Sequence, residues 1–488
     1  MKAWAALSLF FAAPAPGAPV AQEIARLLES TPAARSAFWG IQVVDLANGR
    51  TLYSHNADRL FLPASNAKLL TTALALERLG PGFRFTTRLL AETAPDDTGT
   101  VSGALHLVGG GDPNLSGRAV PYQLGAGRSN PLGPIEELAD QAVARGVKRV
   151  TGGIIGDDTR YVWEPVPEGW TVDDTRYDYG APVSALTIND NIFTLVLRPS
   201  RAGELAEVSI SPPVEYYNID NRVQTAAAGG ERRIRLDREA GSRQLRLWGS
   251  IPVRAPAEVF TLAIADPAEY AAQALQKALE ERGVIVQGPI QARHRFPAEE
   301  GSGADTSGYE LARRDSAPLI EDLKITNKVS QNLHAELALR AVALARRNTG
   351  SRQAGLEELK SFLAEVGIGS EAYSLSDGSG LDRADLVAPY ALVRLLRHMY
   401  VSPERENWIG LLPVGGEDGT LSGRLGEGPS VGRIHAKTGT LNRISALSGY
   451  AERSGGNWLA FSIMVNNYNG PAAEARGLID RICTLLLE

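Results

Sequence analysis

The sequence is poor in the residues that most often carry metals, disulfides and redox chemistry. One cysteine, Cys483, stands among 488 residues, so neither an internal disulfide nor a cysteine-based metal site can form. It lies in the mostly apolar stretch 482–487 and reads as a buried thiol. None of the six histidines (His55, His106, His294, His334, His398 and His435) belongs to an HExxH motif. After the N-terminus no apolar run reaches the roughly 18–20 residues that a spanning helix needs. The net charge of −6 gives no reason to expect a nucleic-acid partner. With 44% hydrophobic and 22% charged residues, the composition is that of an ordinary globular chain, long enough for two to four domains.

Lysine is scarce too. Only Lys2, Lys68, Lys148, Lys277, Lys324, Lys328, Lys360 and Lys437 are lysine among 50 basic residues. Arginine keeps its proton in a protein, whereas lysine can lose it, so each lysine is a candidate for chemistry that arginine cannot do.

The N-terminus has its own texture. Lys2 precedes an uncharged stretch with an apolar centre at 5–13, followed by small residues and the prolines Pro14, Pro16 and Pro19. This reads as a secretory signal peptide over 1–21. Residues 38–46 and 51–53 then read as a hairpin around Ala47-Asn48-Gly49. A helix opens near Pro63 and Pro81-Gly82 stops it. From 88 to 165 short strands alternate with a helix over 134–145, a βαβ-like pattern. Its Gly109-Gly110-Gly111 lacks the spacing of a phosphate loop and reads as a tight turn. From 166 to 261 the strands 193–198, 207–210, 233–236 and 245–249 suggest a β-rich module. A helix over 267–282 and a strand over 284–287 carry the chain to 295. The remainder, 296–488, is mainly helical until two strands, 444–452 and 458–466, and a last helix from Ala472.

Three short motifs carry the chemistry. The first is Ser65-Asn66-Ala67-Lys68, the one place where a serine has a lysine three residues later. Residues i and i+3 share a helix face, so Ser65 and Lys68 point into one cleft. A serine needs a base to become a nucleophile, and lysine serves only when neutral. Bringing its pKa from about 10.4 to near 7 takes roughly 4–5 kcal/mol, which burial together with a nearby second cation, Lys437, can supply. The second motif, Ser330-Gln331-Asn332, begins another helix; Ser330 can relay a proton to a leaving amine and Asn332 can hold a substrate amide. The third, Lys437-Thr438-Gly439, precedes the strand from Ile444. Lys437 offers a positive field and an anchor for a substrate carboxylate. Thr438, Gly439 and Thr440 offer an edge to which a substrate can add as a strand. The N–H groups of Ser65 and Thr440 are then natural oxyanion donors. His435 shares Lys437's strand face if the strand begins that early, and is otherwise structural. Asp157-Asp158 and Asp173-Asp174 lack convergent metal-ligand neighbours and read as solvated turns. Neither a metal nor an organic cofactor is called for.

Ser-x-x-Lys, Ser-x-Asn and Lys-Thr-Gly in this order are the marks of penicillin-binding proteins and class A β-lactamases, with Gln331 here where the middle motif has Asp. The step from Lys68 to Ser330 is 262 residues, far more than a compact β-lactamase has. In this the chain resembles the low-molecular-mass class C penicillin-binding proteins, the D-alanyl-D-alanine carboxypeptidase/endopeptidase family of S13 fold. Pro63-Ala64-Ser65-Asn66-Ala67-Lys68-Leu69-Leu70-Thr71, Val108-Gly109-Gly110-Gly111-Asp112-Pro113, Asp377-Gly378-Ser379-Gly380-Leu381, Lys437-Thr438-Gly439-Thr440-Leu441 and Ser445-Ala446-Leu447-Ser448-Gly449-Tyr450 carry the resemblance.

The resemblance implies an α/β fold: a penicillin-binding transpeptidase-like domain, with an antiparallel sheet flanked by helices, interrupted by two inserted domains. The catalytic parts would be 22–87 and 296–488. The βαβ-like insertion would be 88–165 with 262–295, and the β-rich insertion 166–261. It implies hydrolysis of the D-Ala–D-Ala bond of peptidoglycan stem peptides, often of peptide cross-links, and acylation by β-lactams, on the periplasmic or wall-facing side of the membrane. It further implies a pocket for the diamino-acid end of the stem, with Asp174 on the amine and Ser379 and Arg383 on the other side. A serine β-lactamase and a catalytically silent wall-binding sensor are the alternatives. No dedicated deacylation carboxylate stands out for the former, and the intact motifs argue against the latter.

Overall fold

A computed structural model describes residues 18–126, 129–239, 241–297, 299 and 307–488. The expected leader lies outside the described residues up to 17, and 18–21 open the helix Ala18–Ser30.

Both ends of the chain build one five-stranded antiparallel sheet. Its order is Ile434–Leu441, Ile444–Glu452, Trp458–Asn466, Phe38–Asp45, Thr51–His55. Ile444–Glu452 and Trp458–Asn466 are buried along almost their whole length, because helices cover both faces of the sheet. Side chains alternate across the pleat. Ala446 and Met464 therefore join Leu69, Leu70 and Leu392 on one face, while Leu447 and Ile463 join Ile24, Ile479, Ile482 and Cys483 on the other. Each buried Leu, Ile or Met side chain among them contributes about 1.5–3 kcal/mol. Ser448 and Ser462 sit opposite one another in register, and the Ser448 hydroxyl donates to Ser462 Oγ at 2.9 Å, so the buried pair satisfies itself.

A second five-stranded sheet runs Ile290–Arg295, Ile154–Val162, Leu105–Val108, Thr86–Ala91, Tyr309–Asp315. Leu105–Val108 and Ile154–Val162 are parallel, with the helix Gly133–Ala144 between them in sequence, as a βαβ unit requires. Tyr309–Asp315, which the sequence reading put in the returning catalytic part, pairs with Thr86–Ala91 at this sheet's edge. Beyond lie two three-stranded sheets, Glu258–Ala263, Ile192–Arg198, Glu207–Ser211 and Asn218–Ala226, Gln244–Pro252, Arg233–Asp237.

Two local expectations need correcting, those for Ser65 and for Asp157 and Asp158. Ser65 stands in a 3-10 turn, Ala64–Ala67, and the α-helix begins only at Lys68. Lys437 precedes the strand Ile444–Glu452 as expected and itself lies in a strand, Ile434–Leu441, that begins early enough to include His435. Asp157 and Asp158 are buried in Ile154–Val162 rather than solvated. Asp157 accepts from Thr159 N and Oγ1 and faces Arg293 at 3.4 Å. Asp158 accepts from Ser184 Oγ at 2.8 Å and meets His294 Nδ1 at 2.9 Å. Arg293 and His294 come from a strand distant in sequence and join the local donors, which is how buried charge is tolerated.

Candidate active site

The chain enters the site through Pro63 and Ala64, the latter at φ +47°, a left-handed backbone that non-glycine residues seldom adopt. The 3-10 turn that follows eclipses residues three apart, so Ser65 and Lys68 stack on one side. Lys68 Nζ lies 2.8 Å from Ser65 Oγ, 2.6 Å from Asn332 Oδ1 and 2.8 Å from the Ser379 carbonyl. These fill all three positions of an ammonium group, and the side chain is fully buried.

Ser330 is also left-handed, at φ +64°. Gln331 caps the helix Asn332–Arg347 by accepting from Leu333 N. Strain of about 1–3 kcal/mol at each left-handed residue persists only where the surroundings fix it, and here it presents Ser65 and Ser330 to one cleft. Lys437 Nζ donates to Ser330 Oγ at 2.9 Å and to the Thr438 carbonyl at 2.8 Å. The Lys437 strand lies hard against the nucleophile turn. Asn66 Nδ2 donates to the Lys437 carbonyl at 3.0 Å, and a Cβ at Gly439 would come 2.5 Å from the Pro63 carbonyl oxygen.

Behind Lys68 a loop folds around Asp377. Its carboxylate accepts from the N–H groups of Ser379, Gly380 and Asp382 and from Trp170 Nε1. Gly380 has φ +78°, and a Cβ there would overlap the Ala64 carbonyl. Only glycine lets this loop reach the nucleophile turn.

Burial lowers Lys68 to about 7, against the pull of Asp377, Glu336 and Asp385 in the opposite direction. The expected help from Lys437 falls on Lys437 itself, which burial and then the charge of Lys68 hold well below the ordinary lysine range. Burial and the neighbouring Asp377 push Asp385 well up. Burial also pushes Asp377 up, but hydrogen bonds from Asp385, Trp170 and the loop N–H groups outweigh it and hold Asp377 below the usual carboxylate range.

The cleft encloses about 360 Å³ and is lined by Ser65, Ser330, Asn332 and Thr440 together with Asp174, Tyr179 and Arg383. Lys68 and Lys437 stand behind this wall, and Thr438 and Gly439 are buried beside it, with Thr438 Oγ1 donating to Thr420 Oγ1 at 2.8 Å. Asp174 is buried, and its Oδ2 accepts from Thr171 N and Oγ1; the solvated reading suits only its neighbour Asp173, which is largely exposed. Arg383 is exposed at the rim. Ser379 does not face the cleft: its hydroxyl turns inward to Asp377 Oδ2 at 3.1 Å and it serves Lys68 through its carbonyl. Asn332 is bound at both ends, since its Nδ2 donates to the Tyr179 carbonyl at 2.7 Å. His435 shares Lys437's strand, but its ring packs on Trp458 at 5.4 Å rather than on the cleft.

Tyr179, Leu381, Leu441 and Asn442 also line the cleft; Leu381 and Leu441 end stretches that carry the family resemblance, without a role of their own, and the sequence reading singles out neither Tyr179 nor Asn442. Leu441 and Asn442 directly follow the third motif, the one signal that could have found them. Tyr179 has none.

Residues 20–484 match the sequence profile of the D-Ala-D-Ala carboxypeptidase 3 (S13) family. The chain is 35% identical over 466 residues to a D-alanyl-D-alanine carboxypeptidase of Actinomadura sp. (strain R39), covering 93% of this chain and 82% of that protein. Its fold is similar to penicillin binding protein 4 of Haemophilus influenzae, with a TM-score of 0.80, 24% identity and coverage of 95% and 98% of the two chains. The same protein complexed with a β-lactam matches with a TM-score of 0.75 and 25% identity over the same shares.

Proposed function

The chain belongs to the D-Ala-D-Ala carboxypeptidase 3 (S13) family, and from that premise we infer that the cleft is the active site of a serine-type D-Ala-D-Ala carboxypeptidase that is acylated by penicillin and also opens peptide cross-links. The observation that carries this is the fully buried Lys68 Nζ at 2.8 Å from Ser65 Oγ.

Lys68, drawn down to about 7, is neutral in about half of the molecules near pH 7 and in more above it, and the neutral amine takes the Ser65 proton as Oγ attacks the carbonyl of the penultimate D-alanine. The N–H groups of Ser65 and Thr440 receive the developing oxyanion. The substrate's carboxylate settles by Thr438 and Lys437, where its charge restores the proton affinity that burial takes from Lys437. Ser330, joined to Lys437 at 2.9 Å, passes a proton to the departing amine, and water then hydrolyses the ester on Ser65. Asp174 and Arg383, across the same cavity, take the amine and the carboxylate of the stem's diamino acid. Asn332, tied to Lys68 and to the Tyr179 carbonyl, fixes the base and the cleft wall, and hands its amide to substrate when the Tyr179 contact opens.

Among the described residues lining the cleft, Asp174 is the one acid, and Thr171 engages it. This favours slow release of penicillin over β-lactamase turnover. The substrate lies outside the cytoplasm, in keeping with an exported, wall-facing protein. Among the described residues no helix is long and apolar enough to cross a membrane. Incubating the purified protein with D-Ala-D-Ala pentapeptides and cross-linked muropeptides, with products identified by mass, tests the reading. Release of D-alanine and conversion of dimers to monomers support it; intact substrates with penicillin-reactive protein contradict it.

A further inference from the structure

A second cavity, of about 250 Å³, opens next to the cleft. Its lining includes Arg118, Tyr122, Leu124, Lys328, Val329 and Thr420. Two covalent or hydrogen-bonded links join it to the catalytic groups. Val329 directly precedes Ser330, and Thr420 Oγ1 accepts from Thr438 Oγ1 at 2.8 Å. The cavity and the cleft thus meet at the Val329–Ser330 bond, with Ser330, Asp174 and Arg383 lining the cleft itself.

Resting on the acyl-transfer reading above, we propose that this cavity is the subsite for the leaving half of a cross-linked peptide, holding the side chain of the diamino acid whose amine departs. Ser330 delivers its proton to the leaving nitrogen, so the leaving residue must extend past Ser330. When that residue is D-alanine, its side chain is one methyl and needs no cavity. When it is the D-centre of a diamino acid, several carbons and a second peptide-bearing centre must be housed. At about 30 Å³ for the share of one water in the liquid, the cavity has room for such a chain.

Its surface suits the task. Leu124 is 55% exposed and Val329 45%, and they converge on one concavity rather than scattering, as apolar side chains at a ligand site do. The cations are already engaged: Arg118 pairs with Asp190, and Lys328 with Asp418 and the Leu412 carbonyl. That disfavours a small free anion and favours a mainly aliphatic chain. In the step itself Ser65 Oγ bonds to the D-alanyl carbonyl carbon and the C–N bond to the diamino acid breaks. The serine proton reaches that nitrogen through Lys68 and Ser330, and water then frees the D-alanyl carboxylate and restores the hydroxyl.

The test compares kcat/KM for a cross-linked dimer and for a monomeric pentapeptide in the full-length protein. In Leu124→Trp, which fills the cavity, the dimer value should fall about tenfold or more while the pentapeptide value and penicillin acylation stay within about twofold. Wild-type enzyme is also given a synthetic series in which the leaving residue is D-alanine, D-norleucine or D-lysine; all should be released within about threefold of one another or faster with length. A tenfold or greater loss at D-norleucine, or dimer and pentapeptide values moving together in Leu124→Trp, overturns the subsite while the endopeptidase reading stands. Wild-type enzyme that leaves dimers intact overturns both.

Discussion

Trp170 and Asp377 stand 207 positions apart, yet Trp170 Nε1 donates to Asp377 Oδ2 at 2.9 Å in a buried contact. Through it the segment that leads into Asp174 supports the loop whose Ser379 carbonyl holds Lys68. Trp170→Phe keeps most of the apolar contact and removes one donor to a buried charge, worth about 1.5–3 kcal/mol. Penicillin acylation should slow about tenfold or more as Lys68 loses its fixed position. Stopped-flow acylation alongside a thermal melt checks this; a lowered Tm with an unchanged acylation rate would make the contact purely structural.

Lys68→Arg retains charge but cannot yield a neutral base. Acylation should fall by about three orders of magnitude, with far-UV circular dichroism verifying the fold. Lys437→Arg keeps the positive end beside Ser330 and should cost about tenfold. Equal rates for wild type and Lys68→Arg would remove lysine from the role of base.

The titration of Lys68 sets a pH dependence. Below about 7 the ammonium is protonated and cannot accept the Ser65 proton; above it the amine is free. The acylation rate at low penicillin concentration should therefore rise with pH, about tenfold per unit below the midpoint, and level off above it. A rate that stays flat from pH 5 to 8 would show that another group is the base.

Asp174→Ala removes the acid that faces the cleft beside Ser65. A charge-assisted contact is worth about 1.5–3 kcal/mol, so kcat/KM for peptides with a free side-chain amine should drop about ten- to a hundredfold. Acetylated peptides should lose little, and penicillin acylation should barely change. Equal losses for free and acetylated peptides would mean that Asp174 does not read the amine.

What the sequence made legible follows from how local each signal is. Ser65 and Lys68 are linked by three residues of backbone, and a 3-10 turn serves that geometry as well as the α-helix expected. Lys437 is visible because lysine is rare here and Thr-Gly follows it, while the extent of its own strand, Ile434–Leu441, stays open in the sequence. The polar pattern at 435–440 hides a strand whose partner, Ile444–Glu452, supplies the apolar side. Asp157 and Asp158 look like surface residues until Arg293 and His294 arrive from a strand more than a hundred residues later. Asn218–Ala226 went unread for a related reason: its residues are half exposed and its parallel partner, Gln244–Pro252, is not a hairpin neighbour. The family resemblance implies a substrate role for Ser379, yet Asp377 turns the hydroxyl inward. Which side of a loop faces the cleft depends on contacts that no spacing encodes.

The central claim is that Ser65 is the nucleophile. Treating the purified protein with benzylpenicillin, digesting it and mapping the adduct by mass spectrometry addresses it directly. The account predicts one penicilloyl group per chain on the peptide that contains Ser65, lost in Ser65→Ala with the fold intact. An adduct on any other residue, or full acylation of Ser65→Ala, would contradict it.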